Sequence, residues 1–463
     1  MSYKKIISAN NRGFIADKEN LRNIFIKIFS GAEVPPFRGI IKTSEKGTIS
    51  FRIKYKTYNL YTGEKKQQII HFELLHTNAY GYILRLKDDQ GNILNDYQLI
   101  PKVKCFEKSY EFQTITDYIS GSAVQPLACS AQTNHSGYVF FVVNNKLYIF
   151  SANQKKSQIV YLEPISTESY GIVLRLKDKN GKFLNDYQLR PTLKLFDRGY
   201  EFQIIIDHIS GLNVKPLPCS INTINNGTIH FYIKHKHYVF STGSKKQKMI
   251  HLEPIHTEAY GIVLRLKDIN GNILNDYQLK PALRRFERGY EFQTIHDYIF
   301  NSDIEPVACA IKTDINGVIG FKKDDVSYRF NSGQRKEQVI NITPIKTEAY
   351  GFVFRLINTQ ENFLCDYQVR PKYKFLKRGY EFQTINDFLS GKNIQPLPCK
   401  IETASRGIIC FYIGNKGLNI CTPQMKKKTV WLIPKYSGNY GWLIEIWNEN
   451  KTELLSTIDR RRL

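Results

Sequence analysis

Leu21, Ile24, Phe25, Ile28 and Phe29 recur every three or four residues, with Asp17 ahead of them and Gly31 just behind. That spacing predicts an amphipathic helix with its start and stop signals. Further on the period changes to two. The runs 138–143, 146–150 and 158–162 alternate or are rich in β-branched and aromatic residues, and turns containing Asn, Gly or Ser separate them, which predicts strands. A hairpin is expected over 171–178 and 182–190. Asn180-Gly181 at its tip is the signal of a two-residue type I′ turn, so Arg175 should face Asp186, Leu174 Tyr187 and Leu176 Asn185.

Both patterns return at a fixed interval. Tyr-Gly stands at Tyr80, Tyr170, Tyr260, Tyr350 and Tyr440, each step being 90 residues with nothing inserted. Gly-Tyr-Glu-Phe-Gln starts at Gly199, Gly289 and Gly379, with Ser109 in place of the first glycine. A Ser/Thr-x-x-Asp capping pattern at Thr114 and Asp117 recurs at Thr294 and Asp297 and at Thr384 and Asp387. The fold class expected is therefore α+β and β-rich, a tandem array of five repeats, each with one short helix and about six antiparallel strands. The boundaries are an N-terminal extension over 1–19, then repeats over 20–109, 110–199, 200–289, 290–379 and 380–463. No Gly/Ser- or Pro-rich linker separates them, so neighbours should pack in one fixed relation. The terminal repeats differ, as caps do: the first reads Leu21-Arg22-Asn23 where others read Glu-Phe-Gln, and the last replaces the hairpin Arg and Asp by Glu445 and Ser456.

Composition adds a direction. Among 463 residues, 66 Lys and Arg stand against 42 Asp and Glu, a formal charge of +24 spread along the chain. Such a surface favours polyanions. No apolar run of about 18 residues and no apolar leader follows Met1, so the expected location is cytoplasmic, or nuclear in a eukaryote, without a membrane partner.

Groups that do chemistry are harder to find. The ten histidines scatter, and Cys129, Cys219, Cys309 and Cys399 share a phase singly, without a Cys-x-x-Cys, so no catalytic residue, metal site or cofactor is expected. Glu111, Glu201, Glu291 and Glu381 recur, and the arginines three residues before the last three of them offer local ion pairs. Arg198-Gly-Tyr-Glu-Phe-Gln resembles the start of the aromatic strand signature of RNA-recognition domains, but Glu201 and Gln203 break it.

A paired cation instead precedes a strand in every repeat: Lys65-Lys66, Lys155-Lys156, Lys245-Lys246, Arg335-Lys336 and Lys426-Lys427. Lys87, Lys177 and Lys267 form a second set on the hairpin, with Gln98, Gln188, Gln278 and Gln368 on its other strand, all expected to be free for a ligand. The function expected is a non-enzymatic, multivalent repeat protein that binds DNA or RNA through a repeated basic stripe. The alternative is a multivalent scaffold for a protein or glycan partner.

Overall fold

The computed structural model describes residues 18–413, 416–423 and 426–462, so the extension expected over 1–19, up to Asp17, lies outside the described residues. The first repeat opens with helix α1 (Lys18–Phe29). Strands β1 (Phe37–Lys42), β2 (Thr48–Ile53), β3 (Lys56–Tyr61), β4 (Ile69–Thr77), β5 (Gly81–Lys87), β6 (Ile93–Gln98) and β7 (Lys104–Phe106) follow. All pair antiparallel. One sheet has the order β1-β4-β5-β6-β7, while β2 and β3 form a separate ribbon. The second repeat has the same plan: α2 (Tyr110–Ile119), β8 (Cys129–Gln132), β9 (Tyr138–Val143), β10 (Lys146–Ser151), β11 (Ile159–Thr167), β12 (Gly171–Asp178), β13 (Phe183–Gln188) and β14 (Lys194–Phe196). Helices α3 (Tyr200–Ile209), α4 (Tyr290–Ile299) and α5 (Tyr380–Leu389) open the other three, and the fifth repeat lacks the last short strand. The chain is thus an α+β, β-rich protein of five tandem repeats, each a helix with six or seven antiparallel strands.

Alternation decides which side is buried. In β2, Ile49, Phe51 and Ile53 point inward while Ser50 and Arg52 are exposed. They meet Leu21, Phe25 and Ile28 of α1 and Phe72, Leu74, Leu84 and Leu86 of the sheet in one core. Burying each such side chain contributes about 1.5–3 kcal/mol. The opposite sheet face takes the next helix. Tyr80, Ile83 and Phe106 pack against Tyr110 of α2, which sends Phe112 and Ile115 into its own core. Helix α4 lies in the same way between Tyr260, Val263 and Phe286 and its own core, and α5 between Tyr350, Val353 and Leu376 and its own. A helix shared by two cores leaves no room for a linker. The chain forms two compact units, one ending at Leu217 and one beginning at Pro218. The first holds the first two repeats and α3.

Local details correct three expectations. The hairpin register is as expected, Arg175 facing Asp186, but the turn is not type I′. Of the tip pair only Gly181 has a positive φ, and the Asp178 carboxylate accepts from the backbone N–H of Asn180 and Lys182 at 2.8 and 2.9 Å. This is a longer turn with glycine in the left-handed region, and a bulge after Leu176 restores the register. Helices begin five residues earlier than the capping pattern implied. Thr114 lies inside α2, where its hydroxyl donates to the Glu111 carbonyl at 2.6 Å and accepts from Leu127 N–H at 2.9 Å. The Arg198-Gly-Tyr-Glu-Phe-Gln segment leads into α3, the helix expected there. In the fifth repeat Glu445 faces Thr457 rather than Ser456, one residue out of phase.

Candidate nucleic-acid interface

The paired cations sit on the loop between β3 and β4 and its equivalents. That loop is tied to the turn after the sheet's first strand by a threonine present in every repeat. Thr43 N–H donates to Gln68 O at 2.9 Å and its Oγ1 accepts from Gln68 N–H at 3.0 Å. Thr133 does the same with Gln158, Thr223 with Lys248, Thr313 with Gln338 and Thr403 with Lys428. The turn glycine is equally constrained: a Cβ on Gly137 would lie 1.8 Å from the Gln154 carbonyl oxygen. The threonine hydroxyl also donates to a lysine carbonyl, that of Lys66 at 3.4 Å, Lys156 at 3.1 Å, Lys336 at 3.3 Å and Lys426 at 3.5 Å.

The threonine takes only a backbone carbonyl from these lysines. The side chains of Lys65, Lys66, Lys155, Lys156, Lys245, Lys246, Arg335, Lys336, Lys426 and Lys427 all belong to exposed residues. Lys66 pairs with Glu64 and Lys427 with Glu402, both at 2.8 Å. Among the described residues Lys65, Lys155, Lys156, Lys245, Lys246, Arg335, Lys336 and Lys426 have no carboxylate within ion-pair distance, so both cations of the pair are uncompensated in the second, third and fourth repeats and one in the first and fifth.

The hairpin lysines stand differently. Lys87 is paired across the sheet with Glu73 at 2.9 Å, Lys177 with Glu163 at 2.6 Å and Lys267 with Glu253, so none is the uncommitted cation expected. The glutamines are committed as well. Gln98, Gln188, Gln278 and Gln368 donate to the carbonyls of Tyr80, Tyr170, Tyr260 and Tyr350 at 3.1–3.4 Å, bracing the turn before the hairpin.

The recurring carboxylates form a junction. Arg175 Nε and Nη2 donate to Asp186 at 2.9 and 2.7 Å, and Nη2 also reaches Glu201 at 2.7 Å. Arg85 with Asp96 and Glu111, Arg265 with Asp276 and Glu291, and Arg355 with Asp366 and Glu381 repeat the triad. The glutamates thus pair with the arginine of the preceding hairpin. Burial works against the charge on these arginines, but hydrogen bonds donated to both carboxylates, with their opposite charge, outweigh it and hold each guanidinium above its ordinary pKa. The same aspartates cap the next helix. Asp96, Asp186, Asp276 and Asp366 accept from the N–H of Tyr110, Tyr200, Tyr290 and Tyr380 at 2.7–3.0 Å. The tyrosines of the Tyr-Gly pairs donate to the other end: Tyr80 to Asp117 at 2.7 Å and Tyr260 to Asp297 at 2.9 Å.

A groove of about 1030 Å³ opens where the fourth repeat meets the fifth, lined by Lys377, Arg378, Lys400, Glu402 and Trp431. Lys451 lies 3.9 Å over the Trp431 ring. Cation and aromatic surface together suit a nucleic acid strand. The phase-sharing thiols do not suit nucleophilic work, since burial pushes Cys129, Cys309 and Cys399 up to about 12. Among the described residues no three His, Cys, Asp or Glu side chains cluster as a metal site, and no helix is long and apolar enough to cross a membrane. No protein-family model, curated protein or solved structure matches this chain.

Proposed function

We propose that the protein is a non-enzymatic, multivalent binder of an extended polyanion, DNA or RNA, engaged once per repeat through the lysine-bearing loop after the ribbon. One observation carries this reading: a lysine recurs in strict phase at Lys66, Lys156, Lys246, Lys336 and Lys426, yet in four of the five repeats what the threonine takes from it is its carbonyl. Any residue but proline can supply that backbone, so the retained side chain answers to something outside the fold. The loops are braced at both ends, so little order is lost when a phosphate docks. The charge of +24 adds non-specific attraction.

The test is retention of duplex DNA and of single-stranded RNA by the full chain at rising salt. Binding that falls steeply with salt, and falls again when Lys155 and Lys156 are changed to Gln, supports the reading. A scaffold role is favoured by a different feature. On the β9–β10 ribbon Val142, Leu147 and Ile149 are 64, 52 and 47% exposed, an apolar outer face. Salt-independent behaviour of the loop variants would move the assignment there.

A further inference from the structure

The third repeat carries a second feature unlike the others. Its ribbon pairs 228–233 with 236–241, and His230 and His237 lie on its outer face. His230 Nδ1 is 2.8 Å from His237 Nε2, with the ring centroids 4.8 Å apart. Tyr232 stacks on the His237 ring at 4.7 Å. No other repeat places an imidazole at either position: Ser50, Phe140, Gly320 and Cys410 match the first, and Thr57, Leu147, Ser327 and Gly417 the second.

The Thr228 hydroxyl favours one position for the His230 proton. The Thr228 hydroxyl donates its only hydrogen to Asn226 Oδ1, so toward His230 Nε2, at 2.8 Å, it acts as an acceptor. Nε2 is therefore the N–H of that ring, and the Nδ1 lone pair points at His237. A hydroxyl accepting from the far ring nitrogen is the outer-shell arrangement that orients metal-ligating histidines. Two nitrogens each at about 2.0–2.1 Å from a metal ion at a cis angle stand about 2.9 Å apart, close to the spacing seen. Imidazole nitrogens in a square-planar or tetragonal set suit Cu(II) and Ni(II), and the order of divalent affinities puts Cu(II) first.

We infer that His230 and His237 form a bidentate surface site for a late divalent transition-metal ion, Cu(II) above the others. The metal replaces the proton now shared between the two nitrogens. Among the described residues no three His, Cys, Asp or Glu side chains cluster there, so water or an incoming ligand would complete the coordination. The site is independent of the lysine-bearing loops.

The experiment is titration of the untagged full chain with Cu(II) in a non-coordinating buffer at pH 7.5, read by competition with a chromogenic chelator and by electron paramagnetic resonance. One high-affinity equivalent with nitrogen ligation is expected. His237→Gln and His230→Gln should each weaken it at least tenfold. Thr228→Val keeps both imidazoles and should weaken it by about ten- to a hundredfold. His71→Gln in the first repeat should leave it unchanged. His237 is exposed, so its variant keeps the fold, which far-ultraviolet circular dichroism checks. Equal titrations of the wild type and the His230→Gln/His237→Gln double variant would overturn the assignment.

Discussion

At the scale of single residues, the Arg–Asp–Glu triads dominate. Asp276 is fully buried and Arg265 nearly so, and every carboxylate oxygen of the triad meets the guanidinium within 2.9 Å. As an exposed cross-strand pair, the interaction would contribute about 0.2–1 kcal/mol. Burial changes that. Arg265→Ala would strand two carboxylates, one with no access to water, and should cost about 3–5 kcal/mol in urea unfolding. Arg265→Lys keeps charge but not the two-pronged geometry and should recover only part. A loss under about 1 kcal/mol for the alanine variant would mean that water reaches the site. His296 offers a pH test. Its hydrogen bond to Asp297 at 3.2 Å raises its pKa above the ordinary 6.5, with burial and Arg284 opposing and the Lys322 carbonyl assisting. A raised pKa stabilises the fold fully below the ordinary value and loses that contribution as pH rises through the folded value. The wild type should therefore exceed His296→Gln in stability most near pH 6 and least near pH 8.5. An equal or growing difference at pH 8.5 would assign it to packing against Phe300 instead.

At the scale of elements, helix starts and braced loops are the parts most open to test. Gly199 precedes α3 at φ 88° and ψ 152°, a region almost closed to other residues, and offers no capping side chain. The cap comes from Asp186, 14 residues earlier. Gly199→Ala should cost about 1–3 kcal/mol in denaturant unfolding, because its Cβ would also stand 3.0 Å from Glu201 Oε2. Ser109, at φ −103°, caps α2 with its own hydroxyl and tolerates that position without strain. Thr133→Val should cost about 1–3 kcal/mol by leaving the Gln158 N–H without its acceptor. It should also weaken DNA retention with no change of charge, and unchanged retention would show that the loop needs no bracing. Strands, hairpin register and the ribbon were legible in the sequence because a period of two is a local property. The helix starts were not, since their capping aspartates come from the preceding sheet, and neither were the commitments of Lys177 and Gln188, whose partners lie on neighbouring strands and turns.

At the scale of the whole molecule, each neutralised phosphate should contribute about 0.9 to the slope of log affinity against log salt on duplex DNA. Five loops taking one or two phosphates each give roughly −5 to −9. Lys155→Gln with Lys156→Gln should reduce the magnitude by about 2, as should the equivalent changes at Lys245 and Lys246. Neutralising Lys177 and Lys267 should do less, because Glu163 and Glu253 already compensate them. Equal effects from both sets would mean that net charge, rather than the loops, governs binding.

The sequence by itself determined the repeat, its period, the β-rich class, the cross-strand Arg–Asp pairs and the exposed paired cations. All of these follow from spacing along one chain, where neighbours in number are neighbours in space. The terminal departures were visible too. Glu445, Ser456 and the half-exposed Tyr440 depart from the pattern in the fifth repeat. What spacing could not decide is that α2, α4 and α5 each serve two cores, that Glu201 reaches back to Arg175 on the preceding hairpin, and that the hairpin lysines are neutralised while most of the loop cations are not. Those outcomes depend on which faces meet, and a face that packs against the next repeat looks the same in sequence as one that meets water until the partner is in place.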